Sequence, residues 1–239
     1  RGTRDWHIRR LGEEVALMRN LTTAGPHRNI VRYIASFETD ESLDIVMELL
    51  DDGDLFGRVN RDLYTEDQAK PIFKQLCETV AFLHSQGPHP IIHRDIKPEN
   101  IMILNPPDES TGAKIKLIDF GLAKRLAPGI NTRIGDGNMF MAPELGDLHT
   151  TAVSHDGDFN PLYGPPVDCY SLGATLLRML SASGIPRPTS VSDITVDRLR
   201  STLSHDVKEL IIALMRFDPS ARLTAVQALN HPWLSGVED

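Results

Sequence analysis

Asp95, Lys97 and Asn100 stand close together in IIHRDIKPENIMIL (91–104), and Asp119 opens DFG (119–121) some twenty residues later. A carboxylate can take up a proton, an ammonium can steady an anion, and further side-chain oxygens suit a hard divalent cation. Taken singly, each residue has a plainer reading, since an Asp or Asn in a turn is usually a cap. A third short motif, MAPE (141–144), follows in order.

The surrounding elements must aim these groups. IMIL (101–104) and the alternating KIKLIDF (114–120) read as strands joined across the turn-rich NPPDESTGA (105–113), with one wet face on the second. Leu11, Val15, Met18 and Leu21 recur at helical spacing, and AGPHRN ends that helix. IVRYIASFE and SLDIVMELL read as antiparallel strands around TDE. Thr65 with Gln68 forms a capping box before Ile72, Leu76, Val80 and Leu83, and Pro71 sits inside that helix. Residues 121–166 read mostly as loop, a length that usually carries function. Beyond them the chain is helical. DCYSLGATLLRML is apolar nearly all round and so buried, Ser204 caps the next helix, and Thr224 with Gln227 makes a second capping box. The order predicts an α+β fold: a small mixed lobe leading into a large helical one, with 91–104 near the junction.

Composition narrows the classes. The 239 residues are 41% hydrophobic with a net charge of −8, so a nucleic-acid partner is not expected, and an acidic surface suits solubility or a basic peptide. Cys77 and Cys169 have neither zinc nor disulfide-framework spacing, which fits a reducing compartment. No apolar run approaches the ~20 residues of a membrane span, and no signal-peptide pattern opens the sequence. An intracellular protein of cytoplasm or nucleus is expected. Oligomeric state stays open.

The three motifs, in order and on these elements, resemble the signature set of the eukaryotic protein kinases, over about Glu14 to Trp233. The resemblance implies a two-lobed kinase fold with ATP and Mg2+ and a protein hydroxyl as acceptor. Asp95 would accept the hydroxyl proton, Lys97 would steady the transferred group, and Asn100 and Asp119 would hold magnesium. Phe120 would set the direction of Asp119, and His93 would be a packed, structural histidine. Glu14 matches the acid that pairs with the ATP-binding lysine. Met47 matches the gatekeeper, Glu48, Leu49 and Leu50 the hinge, and Leu55 and Met102 the adenine pocket. Asp54 stands at the nucleotide edge. Asp54 and Glu99 also match acids that receive arginines upstream of the phosphorylated residue, a basophilic Ser/Thr preference. Asp168 would brace the catalytic loop, and Glu144 would pair with Arg222. Residues 1–50 would be a partial small lobe with the hinge at 47–51. Residues 51–239 would be the helical lobe, with catalytic loop 93–100 and activation segment 119–144. DPSARLTAVQALNHPWL and ELLDDGDLF resemble the calcium/calmodulin-dependent group, checkpoint kinases included.

Three departures qualify the resemblance. Before Glu14 the only glycines are Gly2 and Gly12, and the first lysine is Lys70. The glycine loop and the lysine partner of Glu14 are therefore missing from these residues. The truncated β lobe reads as a fragment of a longer kinase with little activity by itself; the alternative is a pseudokinase-like scaffold or binding module. Asn138 replaces the threonine usual before APE, which weakens the Ser/Thr inference. Arg94, beside the catalytic acid, wants an anion, with Thr132 a candidate phosphosite and Asp136 a fixed charge in its stead. The short SGIPRPTSVSDITVDRLRS (183–201) carries no docking inference.

Overall fold

The computed structural model describes residues 2–23, 25–39, 42–104, 113–125, 139–146, 164–182, 194, 199 and 201–236, with side chains of the first helix from Leu11 onward. The expectations on Thr132, Asp136, Asn138 and most of 183–201 lie outside the described residues.

Helix α1 spans Gly2–Thr23, longer than the apolar spacing alone predicted, because nothing in the charged segment before Leu11 breaks a helix. Its Val15, Leu17, Met18 and Leu21 are buried. Strands β1 (Tyr33–Glu38) and β2 (Leu43–Met47) pair antiparallel with a bulge between Tyr33 and Ala35. They form a two-stranded sheet beside α1. Ile34, Phe37, Val46, Met47 and Leu49 remain exposed there.

The larger part is helical. Asp54 caps α2 (Leu55–Arg61) by accepting the Gly57 N–H at 2.7 Å. The Thr65–Gln68 capping box opens α3 (Glu66–His84), which runs through Pro71 unbroken. The Gln75 amide donates to the Pro71 carbonyl at 3.0 Å, one polar anchor near the irregularity. After β3 (Ile91–Ile92) and a 3-10 turn at Pro98–Asn100 come β4 (Ile101–Leu104), β5 (Lys114–Leu117) and β6 (Lys124–Arg125). Strands β4 and β5 form the expected hairpin, and β3 pairs with β6. Short α4 (Pro143–Gly146) precedes α5 (Pro166–Leu180), whose residues are buried apart from Pro166 and Arg178. Helix α6 (His205–Leu214) starts on Ser204 and α7 (Ala225–Leu229) on the Thr224–Gln227 box. Among the described residues no helix is long and apolar enough to cross a membrane.

One core runs through both parts, from Leu17 and Met18 to Trp233 and Leu234. Two polar devices hold its pieces. Asn29 donates through Nδ2 to Gln75 Oε1 (2.9 Å) and the Ile115 carbonyl (3.0 Å), and accepts from the Leu117 N–H at 2.8 Å, fixing the α1–β1 connection to β5 and α3. Glu66, at the start of α3, accepts from Ser204 N–H and Oγ–H, both at 2.7 Å, and from Trp233 Nε1–H at 2.9 Å.

One site expectation changes at this level. Leu55, expected against adenine, is fully buried at the first turn of α2 and belongs to the continuous core. With no surface to offer a ligand, it is a packing residue.

Candidate active site

The two small sheets explain where the polar residues meet. The loop 93–100 connects β3 to β4, and 118–123 connects β5 to β6; because β3 pairs with β6 and β4 with β5, both loops leave the same framework. The Ile118 N–H donates to the Asn100 carbonyl at 2.9 Å, which joins the loops directly.

Within this framework Asp95 is the focus. Lys97 Nζ lies 2.9 and 2.7 Å from its carboxylate oxygens, and Asn100 Nδ2 donates to Asp95 Oδ2 and to its carbonyl, both at 2.8 Å. With its Nδ2 so engaged, Asn100 keeps Oδ1 as its remaining polar atom. Asp119 is exposed, and its Oδ1 accepts from the Gly121 N–H at 3.1 Å. Arg94 and Asp119 both adopt left-handed backbone, at φ 65° and 59°. Such conformations cost on the order of 1 kcal/mol or more at non-glycine residues and persist only where the surroundings fix them.

The fixing groups are visible. Asp168, in the first turn of α5, is wholly buried and accepts the backbone N–H of His93 at 2.9 Å and of Arg94 at 2.8 Å. His84 Nε2 sits 2.9 Å from Asp168 Oδ2. Burial would raise the Asp168 carboxyl, but His84 and the hydrogen bonds to it hold it below the ordinary range. Arg94 Nε donates to the Leu122 carbonyl at 2.7 Å, tying one left-handed residue to the loop carrying the other. His93 is buried edge-on to Phe120 with ring centres 4.9 Å apart, and its Nδ1 accepts from the Asp95 N–H at 3.3 Å. Burial, against the pull of nearby Asp168, Asp95 and Asp119, keeps its pKa below the ordinary histidine value. It is thus neutral near pH 7 and packs as expected.

The model of the protein kinase domain matches residues 2–234. The chain belongs to the protein kinase family. It is 34% identical over 94% of its length to a protein named probable serine/threonine-protein kinase fhkE of Dictyostelium discoideum, covering 31% of that relative. It is likewise 34% identical over 94% of its length to calcium-dependent protein kinase 10 of Arabidopsis thaliana, covering 39% of it. To calcium/calmodulin-dependent serine/threonine-protein kinase 1 of rice, Oryza sativa subsp. japonica, the identity is 31% over 93% of this chain and 36% of the relative. The kinase chain thus spans about a third of the length of these curated relatives.

Other residues of the kinase fall as follows. Glu14 reaches the second loop: a Cβ on Gly121 would stand 3.3 Å from Glu14 Oε2 and 3.1 Å from Asp119 Oδ1. Two carboxylates thus converge on a glycine with no side chain to intervene. Met47 is 40% exposed. The Glu48 N–H is already given to the Arg32 carbonyl at 3.0 Å. The Glu48 side chain receives Lys116 Nζ at 2.6 Å and the Arg32 N–H at 2.7 Å. Leu49 is open to solvent and Leu50 is half-buried. Met102 is half-buried beside Asp54, with which its backbone bridges. Glu99 Oε2 is buried without a hydrogen-bond partner among the described residues. Glu144 and Arg222 meet in a two-pronged pair at 2.5 and 2.7 Å, and Arg222 also reaches the carbonyls of Pro166, Arg216 and Phe217.

Sequence reasoning missed His84, Lys116 and Asn29. His84 occupies the last turn of α3, where a basic residue needs no further explanation. Lys116 read as the wet position of an alternating strand, and Asn29 as a turn residue. Only the tertiary arrangement gives these three their partners.

Proposed function

We propose that the chain is the catalytic domain of a serine/threonine protein kinase, transferring the γ-phosphate of ATP to a protein hydroxyl. The observation that carries the reading is the convergence of Lys97 and Asn100 on the Asp95 carboxylate, in a loop bonded to the one that carries Asp119. In this reading Asp95 takes the hydroxyl proton. Lys97, already at Asp95, holds negative charge near it, and Asp168 keeps the loop in place through the backbone.

The donor set fits magnesium. Asn100 Oδ1 and the exposed Asp119 carboxylate are hard oxygen donors, and hydrogen bonding turns the Asn100 nitrogen away from that role. Magnesium at these residues would neutralise phosphate charge. Glu14 approaches the same glycine as Asp119. The hinge, Met47 through Leu50, and Met102 would flank the nucleotide base, with Asp54 at its edge.

A preference for basic residues before the acceptor hydroxyl follows from Glu99 and Asp54. Glu99 has a buried oxygen with no partner among the described residues, which an arginine would satisfy. Asp54 spends Oδ1 on its helix cap and has Oδ2 left.

Phosphate incorporation into serine and threonine peptides, with and without Mg2+, tests the reading. Transfer should require Mg2+, vanish in Asp119→Ala and favour peptides with upstream arginines. Equal use of acidic and basic peptides would sink the specificity. A second reading is a non-catalytic scaffold. Brisk phosphate transfer by the protein carrying this domain would exclude the scaffold.

A further inference from the structure

Away from the catalytic loops, a cavity of about 250 Å³ opens between the end of α2 and the start of α3. Arg58, Arg61, Asp62, Leu63, Tyr64 and Gln68 line it. Its polar lining is mostly donors. Arg58 and Arg61 bring two guanidinium groups, and neither has an ion-pair partner among the described residues. Arg61 Nε reaches back to the Gly57 carbonyl at 3.3 Å, but Arg58 Nε is buried with no acceptor among the described residues. Gln68 turns Oε1 to the Thr65 N–H at 3.0 Å, which sends its Nε2–H2 the other way. Tyr64 is anchored through its N–H to the Met179 carbonyl at 3.0 Å; burial, against the charge of Arg58 and a hydrogen bond from its guanidinium to the phenol, raises the phenol pKa, so Tyr64 keeps its O–H at neutral pH.

Two arginines in the last turn of a helix complement its dipole, and that alone would account for their presence. It does not account for a buried guanidinium N–H left without an acceptor in a chain of net charge −8, where carboxylates are plentiful. Two planar forks, a phenol and an amide offer more donors than one carboxylate can use, and they suit a tetrahedral dianion.

We propose that this cavity binds a phosphate monoester carried on a serine or threonine of a partner protein, through Arg58, Arg61, Tyr64 and Gln68. The choice of a protein-borne phosphate rests on the functional reading above, because that is the group such an enzyme makes. A segment phosphorylated beforehand would then dock here, apart from the transfer site.

The test needs neither ATP nor turnover, so its failure is distinct from failure of the kinase reading. The 15N-labelled protein is titrated with N-acetyl-O-phosphoserine amide while the arginine Nε–Hε resonances are followed. The Arg58 signal should move saturably in the millimolar range or below, roughly the affinity of a few charge-assisted bonds. Arg61→Gln, at an exposed side chain the fold tolerates, should weaken binding about tenfold, the equivalent of about 1.4 kcal/mol. Arg58→Gln should weaken it at least as much, with circular dichroism confirming that the variant is folded. Absence of a saturable shift up to about 10 mM would overturn the proposal. An equal response to N-acetylserine amide would overturn the anion chemistry. Inorganic phosphate binding as tightly as the phosphoserine amide would overturn the protein-borne source.

Discussion

The Asp168 carboxylate holds the backbone of Arg94 across 74 residues of chain, accepting its N–H at 2.8 Å while Arg94 sits in left-handed backbone. A buried acid on α5 thereby sets the geometry of a loop it never enters with its own side chain. Asp168→Asn puts an N–H2 where acceptors are needed, with His84, His93 and Arg94 all facing it. The variant should lose about 3 kcal/mol in urea unfolding, the scale of a broken buried pair. Peptide phosphorylation by the protein carrying this domain should fall more than the folded fraction does. An equal fall in both would reduce Asp168 to a packing role.

Asp95→Asn isolates the chemistry. The amide keeps the shape that Lys97 and Asn100 surround but is a far poorer base, so kcat should drop by about 10²–10⁴. The unfolding free energy should change by less than about 1 kcal/mol. A kcat within a few-fold of the parent would remove Asp95 from the base role.

Glu48 and Lys116 form a half-buried pair, with side chains 20% and 16% exposed. Burial would raise the Glu48 carboxyl, but Lys116 and the Arg32 N–H outweigh it and hold it below the ordinary value. A double-mutant cycle with Glu48→Gln and Lys116→Met should give a coupling of about 1–2 kcal/mol in unfolding. Additive effects would make the pair a bystander.

Glu66 gives a pH signature. Burial pushes its carboxyl up, but the Ser204 and Trp233 donors and the nearby Lys70 charge bring it below the ordinary value of 4.5. A depressed folded pKa means a stabilisation fully present above about pH 4.5 and lost as pH falls through the folded value. The urea midpoint of the parent should therefore exceed that of Glu66→Gln at pH 7, and the gap should narrow as pH falls below about 4.5. A gap that stays constant down to pH 3 would refute the linkage.

Gly173 lies where α5 meets α6. A Cβ there would come within 2.6 Å of Met215 Cγ and 2.9 Å of Leu214 Cβ. Alanine brings up to about 1 kcal/mol of helix propensity, yet overpacking costs about 1–3 kcal/mol. Gly173→Ala should thus lower the melting temperature. A rise would mean that the helices part easily.

Much of this architecture was legible because local signals and fold agree. Both capping boxes sit where Thr65 and Thr224 put them, the β4–β5 hairpin follows its alternation, and the all-round apolarity of α5 matches its burial. Legibility failed where a residue's meaning depends on a distant partner. Leu55 looked like a pocket wall because its place in a motif says nothing of depth. The left-handed backbone at Arg94 and Asp119 has no glycine to announce it; Asp168 and the Leu122 carbonyl hold Arg94 from outside the loop. Lys116 became the partner of Glu48 only when β5 was laid beside residue 48.

Glu66 also has a history in time. Its carboxylate joins the start of α3 to Ser204 and Trp233, 138 and 167 residues further along. During synthesis at roughly 5–20 residues per second, that acid waits on the order of ten seconds or more for its last partner to be made. Until then the Glu66 carboxylate stands without those donors. The domain is therefore built to lock late, with the aromatic at 233 acting as the latch of a helix translated long before it.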